Sequence, residues 1–420
     1  MARKTLLSLL LCLTICTGLL AQTTANVFLP EWVFDGTDLH QGWAVKVEGN
    51  QIVYAGPVKN LAFREADDVR EMPGQTLLPG LIEGHAHLLL YPYNQTDWND
   101  QVLKESPELR AIRGAKHAEA TLLAGWTTVR DLGSEGAGYA DVAIKEAIEQ
   151  GIIVGPRLLV AGPALVATGS YGPKDFHPGV HVPLGAEEAD GDNLIPAVRR
   201  QIGHGADIIK VYADYRWGPN GEAMPTFSLE ELKLIVETAA SSGRPTVAHA
   251  STAEGMRRAT LAGVQTIEHG DGGTAEVFSL MRDHGVALCP TLAAGDAIMQ
   301  YRGWNKGTDA EPERIVNKRA SFSAALAAGV PLVAGGDVGV FVHGDNVREL
   351  EMMVDYGMKV QDVLRTVTSG NANLLALPDR GKIEAGHLAD LIVVEGRPDQ
   401  DISALRAVQL VMKDGVIYQP

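Results

Sequence analysis

The chain has 420 residues, 45% of them hydrophobic and 21% charged, with a formal net charge of −16. That length and apolar content suffice for a large buried core, and the composition is not that of a disordered chain. The acidic balance argues against nucleic acid or an anionic lipid surface as a partner.

Residues 1–25, "MARKTLLSLLLCLTICTGLLAQTTA", run from Arg3 and Lys4 through an apolar core to small and polar residues. That order is a secretory signal, too short for a membrane span, with cleavage expected after Ala21 or Ala25. An exported, soluble mature chain, periplasmic or secreted, is therefore expected. Two of the 36 basic residues lie in this leader, so its removal moves the balance from −16 to −18. Of three cysteines, Cys12 and Cys16 belong to the leader, which leaves Cys289 without an internal disulfide partner and is best read as core.

Residues 26–75 read as β. "WAVKVEGNQIVYAGP" alternates on both sides of Gly49-Asn50, a hairpin with the usual turn order reversed. The end of the chain, 381–420, has the same character, with a second turn at Asp414-Gly415. Both ends of the chain could share one small sheet module.

Between them, apolar runs alternate with helical patterns: "TLLPGLIEGHAH" (76–87), then 127–133, 156–162, 207–213, 245–250, 265–270, 286–292 and 331–337. "SLEELKLIVETAASSG" opens on Ser228 with a capping box to Glu231. Eight strand–helix units over 76–380 predict an α/β fold closed as a (β/α)8 barrel, with its chemistry at the C-terminal strand ends. Those ends carry His85 and His87 on one strand face, then His249, His269 and Asp337, with Lys210 in the fourth strand. Neutral imidazole and carboxylate suit Zn²⁺. Lys210 does not fit as an ammonium beside a cation: it either pairs with an acid such as Asp337 or carries a carbamate.

"LPGLIEGHAH", "IIKVYA", "VAHAS", "TIEHGD" and "AGGDVG", in this order and spacing, resemble the amidohydrolase superfamily across essentially the whole mature chain. The flanking "VEGNQIVYAGP" and "GKIEAGHLADLIVVEGRP…VMKDGVIY" resemble that family's composite β-sandwich, built from both chain ends. The resemblance implies two Zn²⁺ per chain, bridged by N6-carboxylated Lys210. His85, His87 and Asp337 would contact one metal and His249 and His269 the other, with Asp337 handling the proton.

The segments 168–191, "KVYADYRWGPNG" and "VHGDNVRELEMMV" resemble a subgroup that includes Xaa-Pro dipeptidases and ochratoxin-hydrolysing amidases. That implies cleavage of an amide to a C-terminal amino acid by a metal-bridging hydroxide. Tyr212, Tyr215 and Arg216 are candidates for the substrate carboxylate, and His177 or His181 for its carbonyl. His117, His204 and His284 read as structural, and His343 as ordering its loop. "GSEGAG" (133–138) lacks the lysine of a phosphate loop. Cyclic-amide hydrolysis, and a secreted metal-binding barrel without turnover, are the alternatives. A homo-oligomer is expected, with a small amide or dipeptide as substrate.

Overall fold

The computed structural model describes residues 24–177 and 179–419, so the expected leader, apart from its last two residues, lies outside it. One eight-stranded sheet takes strands from both ends of the chain. Asn26–Phe34 lies parallel to Asp68–Pro79, whose far edge pairs antiparallel with Leu391–Glu395. Alternating apolar residues on these strands, Phe28, Val45, Ile52, Leu77, Leu391 and Met412 among them, are fully buried in a core of their own. The reversed hairpin turn is explained by its geometry. Glu48 and Gln51 are register partners, and Gly49 alone takes the left-handed conformation at φ 60°, as a turn with glycine first requires. The second turn, at Asp414-Gly415, has both residues left-handed and sits against the first. A Cβ on Gly415 would fall on the Gly49 carbonyl oxygen.

The middle of the chain is α/β. Leu81–Ala86, Trp126–Asp131 and Arg157–Val160 form a parallel three-stranded sheet. A six-stranded parallel sheet contains Leu165–Val166, Ile209–Tyr212, Thr246–Ala250, Thr266–His269 and Ala287–Cys289. Asp207 and Ile208 donate backbone hydrogen bonds to Val160 O, across the gap between the two sheets. Helices packed outside the strands bury Leu122, Val198, Ile235, Met256, Phe278 and Phe322 in one large core. The capping box expected at Ser228 is formed in both directions, opening Leu229–Ala240. Cys289 is buried and unpaired. No helix among the described residues is long and apolar enough to cross a membrane.

The run 331–337 departs from expectation: it is not a strand but carries a single parallel bridge at Leu332, with another at Val338 just beyond it. Its glycines explain this. A Cβ on Gly335 would lie 2.5 Å from His85 N, so the backbones touch where strand side chains would stand. The segment still bonds to the first strand, through Gly84 N to Ala334 O, Asp337 N to His85 O and His87 N to Val338 O. Gly335→Ala should therefore cost about 1–3 kcal/mol by overpacking, read as a fall in the thermal midpoint. An unchanged midpoint would mean the backbone has slack here.

Candidate metal centre

His85, His87, Lys210, His249, His269 and Asp337 all line one cavity of about 860 Å³. The period of two along Leu81–Ala86 brings His85 and the following His87 round to the same side, with ring centroids 5.3 Å apart. Parallel neighbours supply the rest. His269 sits in register with Ala250, and its ring is 4.5 Å from His249 and 5.2 Å from His85. One ligand atom each from His85, His269 and Asp337 falls within 4.8 Å of the others.

Three of the four imidazoles are held by a hydrogen bond at one nitrogen. His85 Nδ1 bonds Glu268 Oε2 at 2.8 Å, and its Nε2 is buried without a hydrogen-bond partner. His87 Nδ1 donates to Gly133 O at 2.9 Å, leaving Nε2 3.3 Å from Asp337 Oδ1. His269 Nδ1 pairs with Thr291 Oγ1 at 2.7 Å. His249 is turned the other way, with Nε2 3.9 Å from Asp214 Oδ1. Asp214 is itself held by Ser251 N, Thr252 N and Thr252 Oγ1, at the start of Ala253–Ala262. Such outer partners fix ring orientation and leave a lone pair facing the centre, the arrangement a metal-binding histidine needs. The donor set and the orphaned His85 Nε2 thus fit divalent cations.

Electrostatics agree. Burial, with the charge of Lys210, holds His85 well below the usual imidazole range and puts His249 at about 3. Burial, with His249 beside it, likewise holds His269 low. All three are neutral. At His87 burial opposes the charge, but Asp337 outweighs it and lifts the ring to about 9.

Lys210 is 1% exposed, and its amine is lowered chiefly by burial. Among the described residues it makes neither hydrogen bond nor ion pair, so the acid pairing considered for it does not form. Glu268, which could have served, bonds Arg130 at 3.1 Å and His85.

Strain collects here. His269 (φ 75°), Thr291 (φ 49°), Asp337 (φ 61°) and Glu135 (φ 47°) are left-handed although none is glycine, at a typical cost of about 1–3 kcal/mol each. These four are a majority of the seven such residues described, and all four line the cavity.

Of the substrate candidates, Tyr212, Tyr215 and Arg216 line the cavity. Tyr212 stacks on His249 at 4.6 Å. His177 and His181 do not reach it: both are exposed, and His177 Nδ1 turns back to accept from Gly179 N. Their loop lies open to solvent, which is the physical reason the sequence placed them too near. Residues not singled out from the sequence also matter: Glu268, Asp214 and Glu135, with Trp98 and Tyr171 on the cavity wall. A glutamate in the short strand "TIEH" was the available signal for Glu268.

The family model for the amidohydrolase family matches residues 76–418. The chain belongs to the amidohydrolase family and is a hydrolase acting on amide bonds. It is similar to the ochratoxinase of Aspergillus niger, 29% identical over 418 residues, covering 92% of this chain and 84% of that protein. Among solved structures it resembles a Xaa-Pro dipeptidase with methionine bound in its active site. That match has a TM-score of 0.82 and 30% identity, covering 94% of this chain and all of that one. It is also similar to the imidazolonepropionase of Caulobacter vibrioides, 26% identical, covering 85% of this chain and 88% of that protein.

Proposed function

We propose that this protein is a binuclear zinc amidohydrolase that cleaves the amide bond to a C-terminal amino acid. Its substrate would be an N-acyl amino acid, an Xaa-Pro type dipeptide or an ochratoxin-like amide. The observation that carries this reading is Lys210: a buried amine with no hydrogen bond or ion pair among the described residues, lining the same cavity as the four imidazoles. An unpaired buried ammonium is costly. A lowered amine is nucleophilic toward CO₂, and the resulting carbamate would be an anion where the histidines need one.

In this reading His85, His87 and Asp337 would hold one cation, His249 and His269 the other, and a carbamate on Lys210 would supply an anionic ligand to them. When bound, the two cations supply a water acidic enough to attack at neutral pH and polarise the scissile carbonyl. Asp337 Oδ1 accepts that water's proton and delivers it to the departing amine nitrogen. Tyr215 and Arg216 receive the substrate carboxylate. Arg216 has only a 3.4 Å contact with Tyr215 Oη, which leaves its guanidinium available. The strands of 76–380 would close as a (β/α)8 barrel, supported by the bonds of 331–338 to the first strand. The sheet of 26–75 and 381–420 would be the composite β-sandwich. Export of the mature chain and assembly with its own copies belong to the same reading.

The test is metal content with turnover of N-acetyl-phenylalanine and alanyl-proline. Two zinc ions per chain and cleavage of either compound are expected. Full activity with about one metal would refute the binuclear centre. The likeness to an imidazolonepropionase favours a cyclic amide as the second reading, and turnover of an imidazolone or hydantoin alone would select it.

Metal uptake should depend on pH. Without metal, the His87 ring beside Asp337 keeps its proton up to about pH 9. A cation must displace that proton, so its apparent affinity should climb as pH rises toward 9 and then level off. Calorimetry of the chelated protein in two buffers of different ionisation enthalpy should show proton release at pH 7. The same pair stabilises the metal-free fold fully below the unfolded value of about 6.5, and that contribution is lost as pH rises through about 9. No proton release would mean that His87 is not a ligand.

A further inference from the structure

Glu135 stands on the cavity wall beside the histidines, yet the mechanism above does not use it. It is 3% exposed and held in a left-handed conformation that turns its side chain into the cavity. Its Oε2 is occupied, accepting from Trp98 Nε1 at 2.9 Å and Tyr171 Oη at 2.7 Å. Its Oε1 has only Tyr212 Oη at 3.4 Å, a long and weak contact. A carboxylate accepts about four hydrogen bonds, so the oxygen facing the cavity is underused.

Among the described residues no lysine or arginine hydrogen-bonds or ion-pairs with its carboxylate. Arg110 lies behind it, spending its guanidinium on the carbonyls of Leu89, Ser134 and Glu135 itself. Two other acids of the cavity wall are already engaged. Asp271 is bonded to Lys318, and Asp214 is held by a helix start.

The distance to the reacting centre is short. A Cβ built on Gly133 would stand 3.3 Å from Glu135 Oε1 and 3.3 Å from His87 Cε1. The two are thus no more than twice that apart. An α-amino group is one carbon from the scissile carbonyl, so it would fall in that interval.

We infer that Glu135 Oε1 is the receptor for a free α-ammonium, and that the substrates are unblocked dipeptides rather than N-acyl amino acids. The inference rests on the amide-hydrolase reading above and narrows it to one substrate class. The substrate ammonium donates to Glu135 Oε1, beside the hydroxyls of Tyr171 and Tyr212 that already meet this carboxylate. The substrate carboxylate lies toward Arg216. A dipeptide zwitterion thus spans the metal centre with each charge opposite its complement. An acyl group in place of the ammonium brings no cation and leaves the buried carboxylate unpaired.

The experiment compares alanyl-proline and alanyl-phenylalanine with propionyl-proline and propionyl-phenylalanine, in which hydrogen replaces the amino group. The zinc-loaded wild type is expected to have a kcat/KM on the order of 10²-fold or more higher for the dipeptides. That advantage should fade above about pH 8, where an α-amino group loses its proton, and the propionyl series should lack this limb. Glu135→Gln keeps an acceptor for Trp98 and Tyr171 but presents an amide to the cavity. It should erase the preference and the limb, lowering kcat/KM for the dipeptides far more than for the propionyl series. Equal turnover of both series by the wild type overturns the inference and leaves the amide-hydrolase reading standing. Equal losses on both series in Glu135→Gln, with zinc content intact, assign Glu135 a purely structural role and overturn it too. If neither series is cleaved, the amide-hydrolase reading falls and the inference with it. The wild-type comparison is independent of whether the variant folds.

Discussion

Lys210→Ala should lower amide turnover by about 10⁴-fold or more, the size of several kcal/mol of lost charge stabilisation at a metal centre. The amine is buried, and Glu268 and Asp337 act on it only through space, without an ion pair among the described residues. As a plain ammonium it would repel any cation held by His85 or His249. As a carbamate it would supply the anionic oxygens those neutral imidazoles lack. The alanine variant should therefore also lose bound zinc, from two per chain to one or none. A small carboxylic acid such as propionate should partly restore both by occupying the vacated space. Wild type stripped of CO₂ should regain activity on adding bicarbonate, and the variant should not. Full activity in Lys210→Ala would end the mechanism.

Asp337→Asn should be nearly as damaging, lowering kcat on amides by about 10²–10⁴-fold, the usual contribution of a positioned acid–base group. Asp337 is pinned by its left-handed backbone and by its own N–H to His85 O. That fixes where its side chain leaves the backbone, and asparagine fits the same space without taking a proton. The loss should be greatest where the leaving group needs that proton. An activated ester of the same acid should suffer only about tenfold, since its leaving group departs unprotonated. Zinc content measured on the same sample separates lost metal from lost proton transfer. Equal losses on amide and ester, with both metals retained, would exclude Asp337 as the proton carrier.

Much of this centre was legible because its residues sit at periodic positions. His85 and His87 are two apart at the end of a strand, and Lys210, His249 and His269 lie on strands whose apolar runs are plain in the sequence. Parallel neighbours in register then bring them together without any long-range knowledge. What escaped was the part made by convergence of distant, irregular segments. Glu135 lies in a glycine-rich turn, and its meaning comes from a positive φ and from Trp98 and Tyr171, 37 and 36 positions away. Neither is encoded in spacing. The run at 331–337 has strand-like composition, but Gly335 and Asp337 spend it on backbone contact and a kink. His177 and His181 failed for the converse reason: suitable residue types near the site in sequence, on a loop that faces water.

The shared sheet of the two chain ends has a consequence for how the polypeptide is made. Thr76 Oγ1 donates to Gly396 O, a contact spanning 320 positions. Asp68–Pro79 cannot complete its pairing until Leu391–Glu395 has emerged from the ribosome. Through most of synthesis this long strand waits with an open edge and an apolar face, the condition that invites mispairing between nascent chains. Such high sequence separation also slows closure, because the intervening loop must be ordered first. The first strands to be translated are thus among the last to lock, and removing the final thirty residues should trap the chain as an aggregation-prone intermediate rather than trim a dispensable tail.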